Sequence, residues 1–440
     1  MKRTAIIGLG ITGVSALRYL YGHDELVVLD TRAEPPNAAA VRREFPDAQY
    51  RFDVQRYDYV GVDRVVVSPG VALGSCLVEA ARKQRVELIS DIDLFCQAAR
   101  APIIAITGTN GKSTVTSLVG HLLQALGNSP GVGGNLGQPA LDLLDEARDS
   151  YVIELSSFQL ERLGRHHFRA ATILNVSEDH LDRHGSLRAY QASKQRIYRD
   201  CRLVVANRMD RWTLPDSPVE LGERQLVSFG LDAPGTNEWG IVDGRLSRGA
   251  DSVLAVEDLP IAGLHNALNV LAAFALVWSD GVDTQVLADA ARAFTGLPHR
   301  CERIADVDGV NYVDDSKATN IGATLAALHG LGSSLQPNLV LIAGGEGKDA
   351  DFAPLREPVG RFVKHVILLG VDAAAIEAAL DSVVPVSHVE SLAAAVARAS
   401  SVASRGDLVL LSPACASFDM FENFSDRGEH FAAAVRELAA

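Results

Sequence analysis

A lysine flanked by glycine and hydroxyl residues follows a predicted strand in the first half of this 440-residue chain. The strand, Pro102–Thr107, runs into a glycine-containing turn, and a helical pattern from Val115 to Leu126 leaves it. Successive N–H groups in such a turn can surround phosphate oxygens. Lys112 would then reach the β- and γ-phosphates, and the Ser113 hydroxyl would meet Mg²⁺. Because Ile106 stands where the GxxxxGK[ST] pattern requires glycine, an ordinary capped helix start remains the alternative by that pattern alone.

A carboxylate and an imidazole follow the next two predicted strands. Glu154 lies at the end of Tyr151–Leu155, and His180 follows Ala171–Val176 in an acidic segment. The carboxyl ends of parallel strands are where α/β sheets place ligands, so both side chains are expected near the γ-phosphate. A carboxylate oxygen and a neutral imidazole nitrogen are acceptable to Mg²⁺ in a partly hydrated site. Taken singly, a solvated strand-end glutamate and a surface-loop histidine are the plain alternatives.

A second glycine-rich turn lies near the start of the chain. Gly8, Gly10 and Gly13 stand at the end of the predicted strand Thr4–Leu9 and just beyond it, and Asp30 ends the next strand. This spacing matches the dinucleotide fingerprint G-x-G-x-x-G with its acidic residue after the second strand. The first part of the chain, read alone, leaves a nicotinamide dehydrogenase open.

Four segments, taken in order, resemble the Mur ligase and folylpolyglutamate synthetase superfamily, whose members form amide bonds by first phosphorylating a carboxylate. They are TGTNGKST at 107–114, ELSSFQL at 154–160, NVSEDHLD at 175–182 and YQASKQRIY at 190–198. The resemblance implies ATP as co-substrate and two Mg²⁺ ions. It also implies metal binding by Ser113, Glu154, His180 and Lys194, the lysine as a carbamate because an ammonium group has no acceptor. A solvated helix lysine is the alternative for Lys194.

Later motifs extend the implied ATP site. HNALN at 265–269 looks like the family's adenine-side HNxxN element, although helix capping by Asn266 is compatible with the same residues. Arg300 matches an arginine that reaches the nucleotide phosphates from a domain junction, a task suited to a planar and permanent charge. The implied ATP-binding residues are Gly108, Thr109, Asn110, Gly111, Lys112, Ser113, Thr114, Asn266, Asn269, Arg300 and Asp315. The implied catalytic residues are Lys112, His180, Lys194 and Lys317.

Two motifs in the last third resemble the D-glutamate-adding branch of the family. DSKATN occupies 315–320 and SPACAS occupies 412–417, whereas the DYAHTPD-like and DNPR-like motifs of ligases that add the third residue do not occur. In this branch the first glycine turn receives the uridine diphosphate of a sugar nucleotide. The implied precursor-binding residues are Ile11, Thr12, Asp30, Thr31, Arg32, Ser68 and Asn135. The implied glutamate-binding residues are Thr319, Lys348, Ser417, Phe418 and Phe424, with phenylalanine at 418 where the family favours leucine.

Short apolar runs alternate with helical patterns along the whole chain, which predicts an α/β protein with parallel sheets. The length favours several domains. We expect three: a Rossmann-like domain over 1–97 for the UDP precursor, a central P-loop-type ATPase domain over 98–297, and a Rossmann-like glutamate-binding domain over 298–440. A glycine- and aspartate-rich stretch near 230–255 predicts small β-hairpins, and His265–Trp278 predicts a long buried helix.

Composition narrows the partners. The formal net charge of −14 argues against a nucleic-acid backbone as ligand. Five scattered cysteines without a CxxC pair indicate neither a disulfide framework nor a zinc site and fit a reducing cytoplasm. Glycines interrupt the first apolar stretch, so the chain predicts no signal peptide, and no apolar run is long enough to insert into a membrane. We expect a cytoplasmic monomer.

The resemblance implies ligation of D-glutamate to UDP-N-acetylmuramoyl-L-alanine through an acyl phosphate, with ATP consumed. Three alternatives remain at this point. A folate-polyglutamate ligase shares the ATP loop but lacks the sugar-nucleotide turn. A dehydrogenase explains that turn but leaves Lys112, Glu154 and His180 without a use, and a non-enzymatic nucleotide-binding regulator requires a nonfunctional metal set.

Overall fold

The computed structural model describes residues 1–216, 225–261, 263–278, 281–332, 335–348 and 350–438. Its strands form three sheets, and each sheet is built from one continuous part of the chain. The expected α/β class with parallel sheets is confirmed. The three sheets fall within the three expected domain ranges, while the domain boundaries themselves stay predictions.

The first sheet consists of five parallel strands in the order β3-β2-β1-β4-β5. Its strands are β1 (Arg3–Ile7), β2 (Glu25–Leu29), β3 (Gln49–Arg51), β4 (Arg64–Val67) and β5 (Glu87–Ile89), and its helices are α1 (Ile11–Leu20), α2 (Ala38–Glu44), α3 (Cys76–Lys83) and α4 (Asp91–Ala98). The change of direction in strand order falls beside β1. Open parallel sheets bind ligands at such a point, outside the carboxyl ends of the strands.

The second sheet has nine strands in the order β14-β13-β12-β11-β10-β9-β6-β8-β7. Its parallel part contains β6 (Ile103–Thr107), β7 (Pro130–Gly134), β8 (Ser150–Glu154), β9 (Phe168–Ile173), β10 (Cys201–Asn207) and β11 (Gln225–Phe229). The predicted hairpins form its antiparallel extension, β12 (Trp239–Val242), β13 (Arg245–Arg248) and β14 (Asp251–Ala255). Its helices are α5 (Lys112–Ala125), α6 (Ser157–Leu160), α7 (Leu181–His184), α8 (Leu187–Gln195), α9 (Leu264–Val277) and α10 (Thr284–Ala293).

The third sheet has six strands in the order β15-β16-β20-β17-β18-β19, with β15 antiparallel to β16 and the others parallel. The strands are β15 (Glu302–Val307), β16 (Val310–Asp314), β17 (Leu339–Gly344), β18 (Val363–Leu369), β19 (Val386–His388) and β20 (Leu408–Leu411). The helices are α11 (Ile321–Leu331), α12 (Arg356–Phe362), α13 (Ala373–Leu380), α14 (Leu392–Val402) and α15 (Phe424–Leu438).

The hydrophobic cores tie the first two sheets together and leave the third apart. One cluster of buried side chains runs from Ile6 on β1 through Phe95 on α4 to Tyr151 on β8. The Phe95 and Tyr151 rings meet edge to face, with centroids 5.2 Å apart. The third sheet has two clusters of its own, formed between Val310 and Val435. Because packed cores resist deformation, the first two parts form one continuous base, and the third part has a separate core.

Most expected elements are present with ends shifted by one to three residues, for example β9, which begins at Phe168. Five strands were missed: β3, β15 and β19 are short or partly exposed edge strands, β7 is rich in glycine, and β11 is exposed over its first two residues. Strands of this kind lack the buried apolar run that identifies a strand in sequence. Within the described ranges, no helix combines the length and apolar character needed to cross a membrane.

Gly13 offers a direct test of the packing of the first turn. A Cβ atom at this position would overlap the carbonyl oxygen of Gly8, whereas a Cβ atom at Gly10 would meet nothing within 4 Å. We expect Gly13→Ala to reduce the free energy of unfolding by about 1–3 kcal/mol, since a backbone oxygen cannot yield cheaply. Gly10→Ala, the matched control, should cost less than about 1 kcal/mol. Equal urea denaturation curves for the two variants would contradict this close packing.

Candidate active site

The loop between β6 and α5 is held in shape before any ligand arrives. Gly111 caps the helix at φ 81°, and a side chain there would approach the Asn269 oxygen to 2.5 Å. Asn175 holds the other side of the loop: its backbone oxygen accepts from the N–H of Thr109 at 2.9 Å and its side-chain oxygen accepts from the N–H of Asn110 at 2.8 Å. The loop is therefore preorganised, as an anion-binding turn requires.

Three cationic groups surround this loop. The Lys112 ammonium donates to the carbonyl oxygens of Gly108 at 3.0 Å and Thr109 at 2.7 Å. The Lys194 amino group donates to the same Gly108 oxygen at 2.8 Å. From the third part of the chain, Arg300 donates to the Ser113 hydroxyl at 2.7 Å. Two lysines thus share one carbonyl, with a guanidinium group at the first turn of the following helix.

The surroundings of these groups lower their pKa values. Burial is the main cause for Lys112, and the charge of Arg300 adds to it while Glu154 and Asp179 oppose it. Burial, followed by the charge of Lys112, places the pKa of Lys194 well below its ordinary value. Lys194 is 1% exposed, so the solvated helix lysine is not what the structure contains. Crowding of positive charge in a poorly hydrated place favours either loss of protons or binding of an anion.

Glu154 carries an oxygen atom that is suited to a cation. The side chain is buried, and one carboxylate oxygen accepts from the Asn135 amide at 2.6 Å. The other oxygen, Oε2, is buried and has no hydrogen-bond partner. A buried carboxylate oxygen without a partner is costly, and a hard divalent ion is the ligand that such an oxygen prefers.

His180 stands at the start of α7 in the left-handed backbone region, at φ 54°. Burial lowers its pKa, and the charges of Lys348 and Lys112 lower it further against the opposing Asp179. A neutral imidazole offers a lone pair, as a metal ligand must. The ring packs against Phe158, with centroids 4.9 Å apart.

The expected metal ligands are Glu154, His180, the Ser113 hydroxyl and carbamylated Lys194. They therefore do not form a cluster made only of His, Cys, Asp and Glu side chains. Within the described part of the chain, a cluster made only of such side chains is formed by His299, Glu302 and Asp314, whose ligand atoms lie within 4.8 Å of one another. There, His299 Nδ1 already lies 2.7 Å from a carboxylate oxygen of Asp314. This group is hydrogen-bonded within itself beside the domain junction.

A cavity of about 440 Å³ lies beside the loop on the side of α9. Seven residues of the expected ATP set line it, namely Asn110, Gly111, Thr114, Asn266, Asn269, Arg300 and Asp315. The amide of Asn269 donates to the side-chain oxygen of Asn266 at 3.1 Å. Gly263 caps α9, so helix capping by Asn266 is not what the structure shows. Burial raises the pKa of Asp315 to about 7.

A separate cavity of about 500 Å³ lies at the carboxyl edge of the first sheet. Six expected precursor-binding residues line it, namely Ile11, Thr12, Asp30, Thr31, Arg32 and Ser68. Asp30 accepts from the N–H of Leu9 at 2.8 Å and from two nitrogens of the Arg32 guanidinium at 2.9 and 2.7 Å. Burial acts to raise the pKa of Asp30, but these donors lower it overall. Asn135 is not among these lining residues, and it contacts Glu154 instead.

The expected glutamate-binding residues follow β16, β17 and β20, whose carboxyl ends share one edge of the third sheet. Phe424 is tied to this edge, because Ser316 donates to its backbone oxygen at 2.5 Å and the Lys317 ammonium lies 3.8 Å from its ring centroid. Ser417 is buried, whereas Lys348 and Phe418 are exposed. The described contacts therefore join Phe424 to Lys317 and leave the accessible Lys348 ammonium at the same edge.

Comparison with known proteins decides the family. The model of the Mur ligase MurD-like N-terminal domain matches residues 2–90, that of the Mur ligase middle domain matches 106–277, and that of the Mur ligase glutamate ligase domain matches 299–415. The UDP-N-acetylmuramoylalanine--D-glutamate ligase of Pseudomonas aeruginosa is 48% identical over 99% of this chain and 98% of its own. That of Legionella pneumophila strain Philadelphia 1 is 46% identical over 98% of both. The chain belongs to the Mur ligase family.

Solved structures resemble this Mur ligase over its whole length. The UDP-N-acetylmuramate-alanine ligase of Thermotoga maritima has a TM-score of 0.61 at 21% identity and covers 99% of this chain and 100% of its own. A pseudomurein peptide ligase type C of Methanothermus fervidus has a TM-score of 0.64 at 16% identity, with both chains fully covered. At these identities the likeness concerns the fold.

Sequence reasoning missed three polar residues of the Mur ligase site. Asp179 acts as a countercharge on Lys112, Lys194 and Lys317. Asn320 of the third part donates to Asp179 at 3.3 Å, and Asn175 shapes the β6–α5 loop. Asp179 and Asn175 both lie in the segment that was singled out for His180, and Asn320 ends DSKATN. The motifs contained the signal, but the partners of each residue become visible only in three dimensions.

Lys317 generates a pH prediction. Burial, followed by the charges of Arg300 and Lys112, lowers its pKa to about 8. The cation is therefore present below that pH and lost above it, so kcat/KM for ATP should fall as pH rises through about 8. The decline in kcat should occur at higher pH than the decline in kcat/KM, because the negative charge of bound ATP raises the pKa of Lys317.

The control for this prediction is Lys317→Arg, which keeps its charge at alkaline pH. Its profile should lose the decline near pH 8 that the lysine pKa produces. An identical alkaline decline in both proteins would mean that another group titrates.

Proposed function

We propose that this Mur ligase adds D-glutamate to UDP-N-acetylmuramoyl-L-alanine with conversion of ATP to ADP and phosphate, a step of peptidoglycan precursor synthesis. The names of relatives at 46–48% identity over nearly the full chain support this substrate pair. The structural observation that carries the proposal is the meeting of Lys112 and Arg300, from two parts of the chain, at one preorganised loop, with Lys317 lining the cavity beside it. The separate cavity at the first sheet provides a place for the sugar nucleotide.

The reaction begins with transfer of the γ-phosphoryl group to the alanyl carboxylate. Lys112 and Arg300 neutralise the charge that spreads over the phosphoryl oxygens as the bond to ADP breaks. The amine of D-glutamate then attacks the acyl phosphate, and the tetrahedral intermediate expels phosphate to leave the amide. Lys317, beside Phe424 and the loop, stabilises the negative charge of the intermediate.

The residues at the loop fit Mg²⁺, since Glu154 keeps a buried oxygen without a partner and His180 is held as a neutral imidazole. Ser113, Glu154, His180 and carbamylated Lys194 would hold two ions. When bound, Mg²⁺ supplies charge neutralisation to the polyphosphate and the acceptor. Burial and the charge of Lys112 lower the pKa of Lys194, which favours the uncharged amine, the form that adds CO₂.

The third domain closes on the other two during turnover. The glutamate-binding edge lies on the third sheet and the ATP loop lies on the second, so the acyl phosphate and the amine meet only when the two are close. Its separate hydrophobic cores permit this movement. We assign 1–97 to the precursor, 98–297 to ATP and 298–440 to glutamate, in a monomeric enzyme of the cytoplasm.

The substrate assignment is tested by phosphate release. Release from ATP should require both UDP-N-acetylmuramoyl-L-alanine and D-glutamate, whereas L-glutamate, diaminopimelate and lysine should not support it. If both carboxylates of glutamate are clamped, inversion of the α-carbon points the amine away from the acyl phosphate, and a misplacement of about 1 Å costs roughly 10²-fold. Comparable kcat/KM for L-glutamate would refute the assignment.

Substitution of Lys348 provides a second test of D-glutamate as the substrate. A dicarboxylate needs at least one cation, and charge-assisted bonds from Lys348, Thr319 and Ser417 would fix its orientation. Lys348→Ala should raise the KM for D-glutamate by about tenfold or more, the loss of roughly 1.4 kcal/mol of binding. An unchanged KM would show that Lys348 is a solvated loop residue.

Carbamylation of Lys194 is a further expectation. An ammonium group would repel Mg²⁺, whereas a carbamate supplies oxygen ligands. Lys194→Ala should be nearly inactive and should recover part of its activity in short carboxylic acids, which occupy the vacated position. A fully active variant, or a bare amine in a well-resolved liganded structure, would disprove the carbamate.

A further inference from the structure

A buried arginine joins the precursor cavity to the ATP domain. Arg162 follows α6 in the second part of the chain, and its side chain is 5% exposed. Its guanidinium donates to four carbonyl oxygens at the end of β4 and in the turn after it: Val67 at 3.4 Å, Ser68 at 2.8 Å, Pro69 at 3.3 Å and, in a short bond, Val71. A planar fork with several donors is the group that can hold so many carbonyls at once.

A second arginine and one carboxylate complete this arrangement. Glu161 accepts a short hydrogen bond from Arg183 and lies 3.4 Å from a guanidinium nitrogen of Arg162. Arg183 also reaches the carbonyl oxygens of Pro69 at 3.5 Å and Val71 at 3.3 Å. Glu161, Arg162 and Arg183 are called the arginine clamp below.

On one side, the clamp contacts the wall of the precursor cavity. The turn that it holds contains Ser68, Pro69 and Val71, all of which line that cavity. The Ser68 hydroxyl donates to the carbonyl oxygen of Gly8 at 2.8 Å and so connects the turn to the first glycine loop. The position of the turn therefore sets the shape and the place of the cavity.

On the other side, the clamp contacts the segments that carry the expected metal ligands. Arg183 lies three residues after His180, and its guanidinium carbon is 4.5 Å from the Phe158 ring centroid. The Phe158 ring in turn packs on His180, with centroids 4.9 Å apart. Glu161 and Arg162 directly follow the short α6, which begins three residues after Glu154.

Stabilisation of the fold does not by itself explain why the charged groups of the arginine clamp are buried. Burying ion pairs brings little net stabilisation, since desolvation offsets the attraction, and the Arg162 Nε atom remains buried without a partner. The domains are also joined elsewhere, by the shared hydrophobic core and by the hydrogen bond from Ser15 to Asp142 at 2.7 Å. A buried charged group that contributes little to stability can still hold the segments that it contacts in one relative position.

We propose that the arginine clamp is a positioning device, which sets the distance between the precursor cavity and the phosphoryl-transfer centre. The inference rests on the proposed function, in which one substrate spans both places. Its uridine end binds at the first sheet while its carboxylate must meet the γ-phosphate at the second. An error of about 1 Å in that span costs roughly 10²-fold in rate, so a rigid link between the two places is required.

The test compares Arg162→Ala and Arg162→Lys with Arg165→Ala. Arg165 is a matched control, three residues further on, with a side chain that is 71% exposed. We expect kcat/KM for the precursor to fall about 10- to 100-fold in Arg162→Ala and less in Arg162→Lys, which keeps a donor. The dissociation constants of UDP and of ADP, measured by calorimetry, should stay within about twofold, because each ligand occupies one side only.

Each outcome decides the inference. Unchanged kcat/KM in Arg162→Ala overturns it. A loss of UDP affinity as large as the loss of kcat/KM also overturns it, because the clamp would then shape only the cavity. If Arg162→Ala does not fold, the loss of kcat/KM is compared with the loss of UDP affinity in Arg162→Lys and Glu161→Gln instead, and the same two results overturn the inference. Absence of precursor-dependent phosphate release by the unaltered protein would instead refute the proposed function, while UDP and ADP binding would still be measurable.

Discussion

Crowding of positive charge around the β6–α5 loop is the constraint on which the rest of the site depends. Burial lowers the pKa of each of Lys112, Lys194, Arg300 and Lys317. The negative charge of Glu154 acts to raise all four pKa values, but each of them remains lowered. Like charges that are removed from water destabilise a protein unless an anion joins them. A polyphosphate with its metal ions satisfies this requirement, and a neutral ligand does not.

The division of the molecule follows from the same requirement. Lys112 on α5 and Lys194 on α8 belong to the second part of the chain, whereas Arg300 and Lys317 come from the third. An anion bound at the loop is therefore attracted to both parts and favours their approach. The first two sheets share a hydrophobic core, and the third part of the chain has cores of its own.

The sequence was sufficient for those features that depend on neighbours along the chain. The buried helix α9 and the parallel sheets follow from apolar periodicity, whereas the assignment of the β6–α5 loop to ATP needed the family resemblance as well as glycine spacing. The role expected of Lys194 came from the resemblance, because its type alone indicates a solvated residue, and only the structure shows its burial. The Arg162 contacts could not be foreseen, since they join residues 91 to 95 positions apart in the chain through backbone oxygens that any residue provides. Edge strands such as β3 and β19 were missed because exposed strands carry no apolar run.

The most direct test of this account is the calorimetric titration of ATP with Mg²⁺ into the unaltered protein and into Lys112→Ala, with UDP titrated into both. Removal of a charge contact to the phosphates should weaken ATP binding by about 100-fold or more, a cost of roughly 2.7 kcal/mol. UDP affinity should stay the same, because its cavity lies on the first sheet. Equal ATP affinity in the two proteins would contradict the claim that the crowded cations exist to bind polyphosphate.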